Sequence, residues 1–191
     1  PTTGVNGGAG EALSFDGTDD FIELPDGAFD FMDGTQPFTI SAWLYNRTTK
    51  EARSVFAPQN VFDWTFGPNG NGNFDFQAYD GSPNAITEPF SNNVWQHWAG
   101  IYDPSIGMIL YKNGSQVASN NFTGSPNSVS RKNVIGGLGF ISEFVDGRID
   151  ELRIYDRALS ASEVQQLFNN PTATGQGTGA ELRIVFTGEV T

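Results

Sequence analysis

The chain has no cysteine, one histidine and two methionines among its 191 residues. Without cysteine there is no disulfide and no thiolate metal site, and a single imidazole cannot build a histidine-rich metal centre. Cations are scarce. Ten Lys and Arg face 22 Asp and Glu, for a formal net charge of −12. That balance argues against nucleic acid as a partner and against an anionic membrane surface. No apolar run approaches the ~18 residues of a membrane-spanning helix, so no membrane insertion is expected.

What is present points to many short strands. There are 23 glycines and 10 prolines, and aromatic residues make up 13%. Such a composition suits strands joined by tight turns in one domain. The polar, glycine-rich residues 1–10 read as a linker or lead-in, 11–170 as the folded domain, and 171–191 as a connector followed by an extra strand over Glu181–Val190. Pro1 stands where an initiator Met would, so an excised piece or a mature fragment is expected; the chain is read as a monomeric module of a longer protein. Alternation predicts strands at Glu11–Phe15, Phe21–Leu24, Phe38–Tyr45, Val61–Phe66, Phe74–Tyr79, Trp95–Asp103 and Met108–Tyr111. Lys112-Asn113-Gly114-Ser115 is a two-residue hairpin signal, and Gly81–Asn84 reads as a turn.

The stretch from Phe144 to Asn169 is the most informative. Val145-Asp146-Gly147 is turn chemistry, and Arg148–Tyr155 alternates except at Leu152, where the period slips and a bulge is expected. Ser160 and Glu163 form a capping box ahead of Val164, Leu167 and Phe168, which predicts one short amphipathic helix. Asp150-Glu151 in mid-strand is unusual, since strand interiors disfavour acids, and a bound cation is one account of it.

With Gly147, Ile149-Asp150-Glu151, Tyr155 and Ala158–Glu163, this stretch resembles the closing motif of the laminin-G-like jelly rolls of the concanavalin A-like lectin/glucanase superfamily. Leu13–Ile22 is similar to that family's opening strand pair. Trp95–Asp103 followed by Leu110–Gly114 is similar to its central hairpin. The resemblance implies an all-β fold, two antiparallel sheets in a jelly-roll sandwich with one short C-terminal helix. It also implies an extracellular or cell-surface placement, bacterial in origin, and a structural Ca²⁺ where the first turn meets the Ile-Asp-Glu strand. Asp16, Asp20 and Asp150 are the candidate ligands, with Thr18, Asp19 and Glu151 beside them. Calcium takes six to eight hard oxygens, which such a turn supplies. The competing reading is that these aspartates cap turns through Asx hydrogen bonds.

A second candidate is a sugar platform. Trp64, Tyr79, Trp43 and His97, with Asn71 and Asn73 of the Pro68–Asn73 loop, combine rings for sugar faces with groups for hydroxyls; core packing is the alternative for the rings. Catalysis is not expected. A retaining glycosidase needs two carboxylates about 5–5.5 Å apart. Asp150 and Glu151 are neighbours facing opposite ways, and Asp63 and Asp75 stand alone in their strands. The favoured reading is a non-catalytic carbohydrate-binding module with a bound calcium and a glycan or cell-surface polysaccharide as partner. A protein-binding or spacer module of a large adhesin is the alternative, and a glycan-degrading enzyme a weaker one.

Overall fold

The computed structural model describes residues 2–6, 9–48, 55–58, 64–126, 133–137, 143–171 and 181–183. Fourteen strands and one helix follow in order: β1 (Thr2–Thr3), β2 (Ala9–Asp16), β3 (Ile22–Glu23), β4 (Phe38–Asn46), β5 (Phe56–Pro58), β6 (Trp64–Pro68), β7 (Asn73–Tyr79), β8 (Pro83–Pro89), β9 (Gln96–Asp103), β10 (Gly107–Lys112), β11 (Ser115–Asn120), β12 (Asn133–Ile135), β13 (Asp146–Tyr155), α1 (Ala161–Asn169) and β14 (Glu181–Arg183). One sheet runs β1-β2-β13-β4-β9-β10-β11, with β14 paired to β13; the other runs β3-β12-β5-β6-β7-β8. Every pairing is antiparallel. The architecture is the expected two-sheet jelly-roll sandwich.

The core between the sheets follows from strand alternation. Phe38, Ile40, Ala42 and Leu44 of β4 face Phe56, Trp64, Phe66, Phe74 and Phe76 of the opposite sheet. Yet β4 is buried on nearly every residue, not on alternate ones. The reason is α1, which lies across the outer face of the larger sheet; its Val164 and Leu167, with Leu159 just ahead of it, pack against Ala99, Ile101, Tyr111 and Tyr155. A strand covered on both faces loses its period-two burial.

The bulge falls where the alternation slips. Asp150 pairs with Trp43 and Arg153 with Ser41, so Glu151 and Leu152 together oppose Ala42. Glu151 takes φ of 49°, and the bulge returns Leu152 and Ile154 to the core side. The capping box at Ser160 and Glu163 is formed in full. At Gly147 a Cβ would lie 2.4 Å from the Tyr45 carbonyl oxygen, so the β13–β4 approach there demands glycine.

Two elements differ from the sequence reading. The lead-in is part of the sheet, with Thr2–Thr3 pairing β2, because backbone ladders need no particular side chain. The Gly81–Asn84 turn opens into β8, which pairs β7 along its whole length. Prolines at both its ends obscured it; an edge strand tolerates them. The extra strand expected from Glu181 is present over Glu181–Arg183, where it pairs β13 beyond the reach of β2. The expected strand residues 61–63, the lone Asp63, most of the connector and residues 184–190 lie outside the described residues.

Candidate functional site

The first candidate is the turn that follows β2. Asp16 ends the strand opposite Asp146. Gly17 follows at φ of 79°, where a Cβ would come within 2.7 Å of the Asp146 Cβ. The Thr18 N–H donates to Asp16 Oδ1 at 2.8 Å, and the Asp16 N–H donates to Asp20 Oδ2 at 3.0 Å. These bonds fold the turn so that carboxylate oxygens of Asp16, Asp19 and Asp20 lie within 4.8 Å of one another. Arg47 anchors the strands beneath it, donating to Asp146 Oδ1 and Ser14 Oγ at 2.8 Å and to the Phe15 carbonyl at 3.0 Å. The donor set is all hard oxygen, with Asp16 and Asp19 exposed and Asp20 half-buried, which suits Ca²⁺ better than a softer metal.

Asp150 does not join this turn. It lies four residues along β13 from Asp146, ~13 Å at strand rise. Its two oxygens accept the Val5 N–H at 2.9 Å and the Glu151 N–H at 2.8 Å. Glu151 is paired with Arg153 at 2.8 Å. Backbone donors and an arginine therefore accommodate these mid-strand acids, and the structure does not bring Asp150 and Glu151 together with Asp16.

Three rings expected at a sugar platform are buried. Trp64 is 2% exposed, donates its indole N–H to the Met32 carbonyl at 2.7 Å, and packs on Phe38 with centroids 4.7 Å apart. It is a core residue because β6 presents it to the opposite sheet. Trp43 and His97 are 8% and 1% exposed, lying under the end of α1. His97 Nε2 sits 2.9 Å from Ser41 Oγ. Burial, helped by the nearby Arg153 charge, lowers its pKa to about 3, so it is neutral at physiological pH.

The Pro68–Asn73 loop is the β6–β7 hairpin. Asn69 Oδ1 accepts the N–H groups of Asn71 and Asn73 at 2.9 and 3.2 Å, and its amide donates to both Asp75 oxygens at 2.9 Å. Across on β8, Thr87 Oγ1 donates to the same carboxylate at 2.9 Å. Asn71 and Thr87 are exposed, and Asn73, Asp75, Gln77 and Tyr79 are half-buried. With Asn73, Asp75, Gln77 and Tyr79 on one side of β7, this is a polar outer face set at the hairpin end of the smaller sheet. Asp75 and Thr87 are additions that the sequence concealed. Asp75 reads as a lone strand acid until β8 is known to bring Thr87 beside it.

The fold is a two-sheet antiparallel jelly-roll sandwich. Residues 16–165 match a laminin-G-like family described as the concanavalin A-like lectin/glucanases superfamily, and the chain belongs to that superfamily. No curated protein matches the chain in sequence. Among solved structures it is similar to a heptameric SAP-like pentraxin from Limulus polyphemus, at TM-score 0.63 and 14% identity over 92% of each chain. It is also similar to the binding domain of Paraclostridial Mosquitocidal Protein 1, at TM-score 0.65 and 20% identity over 84% of this chain and 43% of that one. A third is the binding domain of Botulinum Neurotoxin DC in complex with SialylT, at TM-score 0.63 and 15% identity over 85% and 42%. The chain thus spans nearly all of the pentraxin and about two fifths of each toxin domain.

Proposed function

We propose that the protein is a non-catalytic carbohydrate-binding module of a larger extracellular or cell-surface protein, with a Ca²⁺ held at the Asp16–Asp20 turn. The observation that carries this reading is the Asn69–Asp75–Thr87 constellation. A carboxylate fixed by an amide and a hydroxyl on an open sheet face is pre-oriented to accept hydrogen bonds from sugar hydroxyls, with Asn71, Asn73 and Gln77 supplying further polar groups and Tyr79 a ring. Such hairpin loops at the edge of a rigid sandwich carry binding more often than packing. Membership in a superfamily of lectins and glucanases supports the same reading, as do the toxin binding domains among its structural neighbours. At the turn, Asp16, Asp19 and Asp20 would hold the ion and the Thr18 carbonyl is the nearest extra donor in sequence. An ion there fixes the end of β2 in place.

A glycan array with and without EDTA, followed by calorimetry on any hit, tests the reading. The expected result is a hit whose affinity falls with Asp75→Ala while the melting curve holds. Binding to a protein with no glycan hit at all, as one botulinum neighbour is seen with rat synaptotagmin II, would replace it with the protein-binding reading.

A further inference from the structure

The outer face of the larger sheet carries a second polar-aromatic site at the end that α1 leaves open. Arg148 lies opposite Ser14 on one side and Tyr45 on the other. Trp95, just before β9, continues that row, its ring 5.7 Å from Tyr45 at 58°. The Arg148 guanidinium lies over the Tyr45 ring, 4.9 Å from its centroid. All three side chains are half-buried. The helix packs on Ala99, Ile101, Tyr111 and Tyr155 and ends over Trp43, leaving Tyr45 and Trp95 outside that cluster.

Arg148 is set apart by its partners. Arg47, Arg153 and Arg157 are each paired with a carboxylate at 2.7–2.8 Å. Among the described residues Arg148 has none: its polar contact is the Thr3 carbonyl at 3.5 Å, and its Nε has no hydrogen-bond partner. The nearest acids on its own strand, Asp146 and Asp150, are two residues to either side, and their oxygens are taken by Arg47 and by backbone N–H groups. In a chain of net charge −12, a half-buried arginine stacked on a tyrosine and left without a carboxylate calls for an explanation.

We infer that Tyr45, Trp95 and Arg148 form a binding site for a carboxylate-bearing saccharide of the uronate type. The guanidinium fork matches a planar carboxylate through two parallel hydrogen bonds. The rings, Trp95 foremost, take the C–H face of the sugar. Asp146, paired with Arg47, and Asp150 lie two residues to either side of the arginine, so the ring contact must add to the charge pair. The site is separate from the Asn69–Asp75–Thr87 face, which lies on the other sheet. The protein's net negative charge opposes the approach of an acidic chain at long range. That repulsion is screened beyond ~8 Å at physiological ionic strength, whereas the half-buried contact pair is screened much less. Added salt up to that level should therefore leave affinity unchanged or raise it.

The test uses the whole chain, an oligogalacturonate and a neutral galactose oligomer of equal length. Calorimetry should show the acidic oligomer bound at least about tenfold more tightly, a charge-assisted hydrogen-bond difference. Arg148→Met should lose about 10- to 100-fold for the acidic oligomer and nothing for the neutral one. Arg148→Lys should recover only part of the loss, and Asp75→Ala should leave acidic binding intact. A second readout needs no variant. Trp43, Trp64 and Trp98 are buried, so acrylamide quenching of the native protein reports Trp95, and the acidic oligomer should protect it. The inference falls if the two oligomers bind equally, if Arg148→Met binds the acid as before, or if saturating oligogalacturonate leaves Trp95 quenching unchanged. If the inference falls in one of these ways while Asp75→Ala still abolishes neutral-sugar binding, the lectin reading stands without this site.

Discussion

The Trp43 indole is stacked on the Phe168 ring, centroids 5.5 Å apart and planes 17° from parallel. That contact pins the last turn of α1 to the outer face of the sheet, over His97 as well. The helix is too short to be stable alone; its nine residues fall below the ~12–15 that an isolated helix needs, so packing holds it.

Phe168→Ala should therefore loosen the flap without unfolding the sandwich. The side chain is half-buried, so the cost should be about 2 kcal/mol, below the range for a fully buried phenylalanine. Thermal melts give the magnitude, and hydrogen exchange should show lost protection in α1 and at Trp43. A variant with native protection throughout α1 would mean the stack holds nothing.

The N-terminus of the same helix gives an independent check. Ser160 Oγ accepts the Glu163 N–H at 3.4 Å, and Glu163 Oε2 accepts the Ser160 N–H at 2.7 Å. The Glu163 carboxyl is lowered to about 2, chiefly by its hydrogen bond from Arg157 and further by those from Ser160. Ser160→Ala should cost about 1 kcal/mol, as lost N-caps do. A melting temperature equal to wild type would show that the packing of Val164 and Leu167 alone sets the helix.

How much of this was legible depends on whether the signal was local. The capping box, the Leu152 slip and the Asp16–Asp20 turn are each written within a few residues, and each appears in the structure where the sequence puts it. Which face a ring takes is not local. Trp64 and Trp95 both read as strand aromatics, but Trp64 points to the other sheet and Trp95 lies half-buried beside Tyr45. Trp43 and His97 do sit on the outer face, yet a helix more than sixty residues further along covers them. Asp150 shows the same limit. Nothing near it in sequence reveals that Val5 supplies a backbone donor.

Trp64 yields a sharp contrast with a surface role. It packs on Phe38, Tyr102 and Phe76 and hydrogen-bonds the Met32 carbonyl. Trp64→Ala should cost about 3–5 kcal/mol. Denaturant unfolding measures it, and a loss below about 1 kcal/mol would contradict the burial.

His97 should make the protein acid-sensitive. Its folded pKa, about 3, lies below the ordinary 6.5. The unfolded chain thus takes up a proton at a pH where the folded state stays neutral. Stability is whole above pH 6.5 and is lost as pH falls from there toward 3, by a total on the order of 4–5 kcal/mol. Urea titrations at steps between pH 7 and 3.5 should show that slope, and His97→Gln should flatten it. A slope unchanged in the variant would assign the acid sensitivity to the carboxylates instead.

Calcium is the last expectation. If the ion sits at the turn after β2, it binds the native state alone, since unfolding scatters Asp16, Asp19 and Asp20. Saturating Ca²⁺ at a hundred times its dissociation constant should then stabilise by ~2.7 kcal/mol. Scanning calorimetry with EDTA and with excess Ca²⁺ reads the shift. Asp19→Asn and Asp20→Asn should each weaken the response. Asp150→Asn should lower the melting temperature in both conditions, because it loses charge on bonds to Val5 and Glu151, yet keep the full Ca²⁺ shift. The two positions therefore separate a ligand from a structural acid. Equal melting temperatures with EDTA and with Ca²⁺ would leave the three aspartates as turn caps, and an Asp150→Asn variant deaf to Ca²⁺ would return that residue to the metal site.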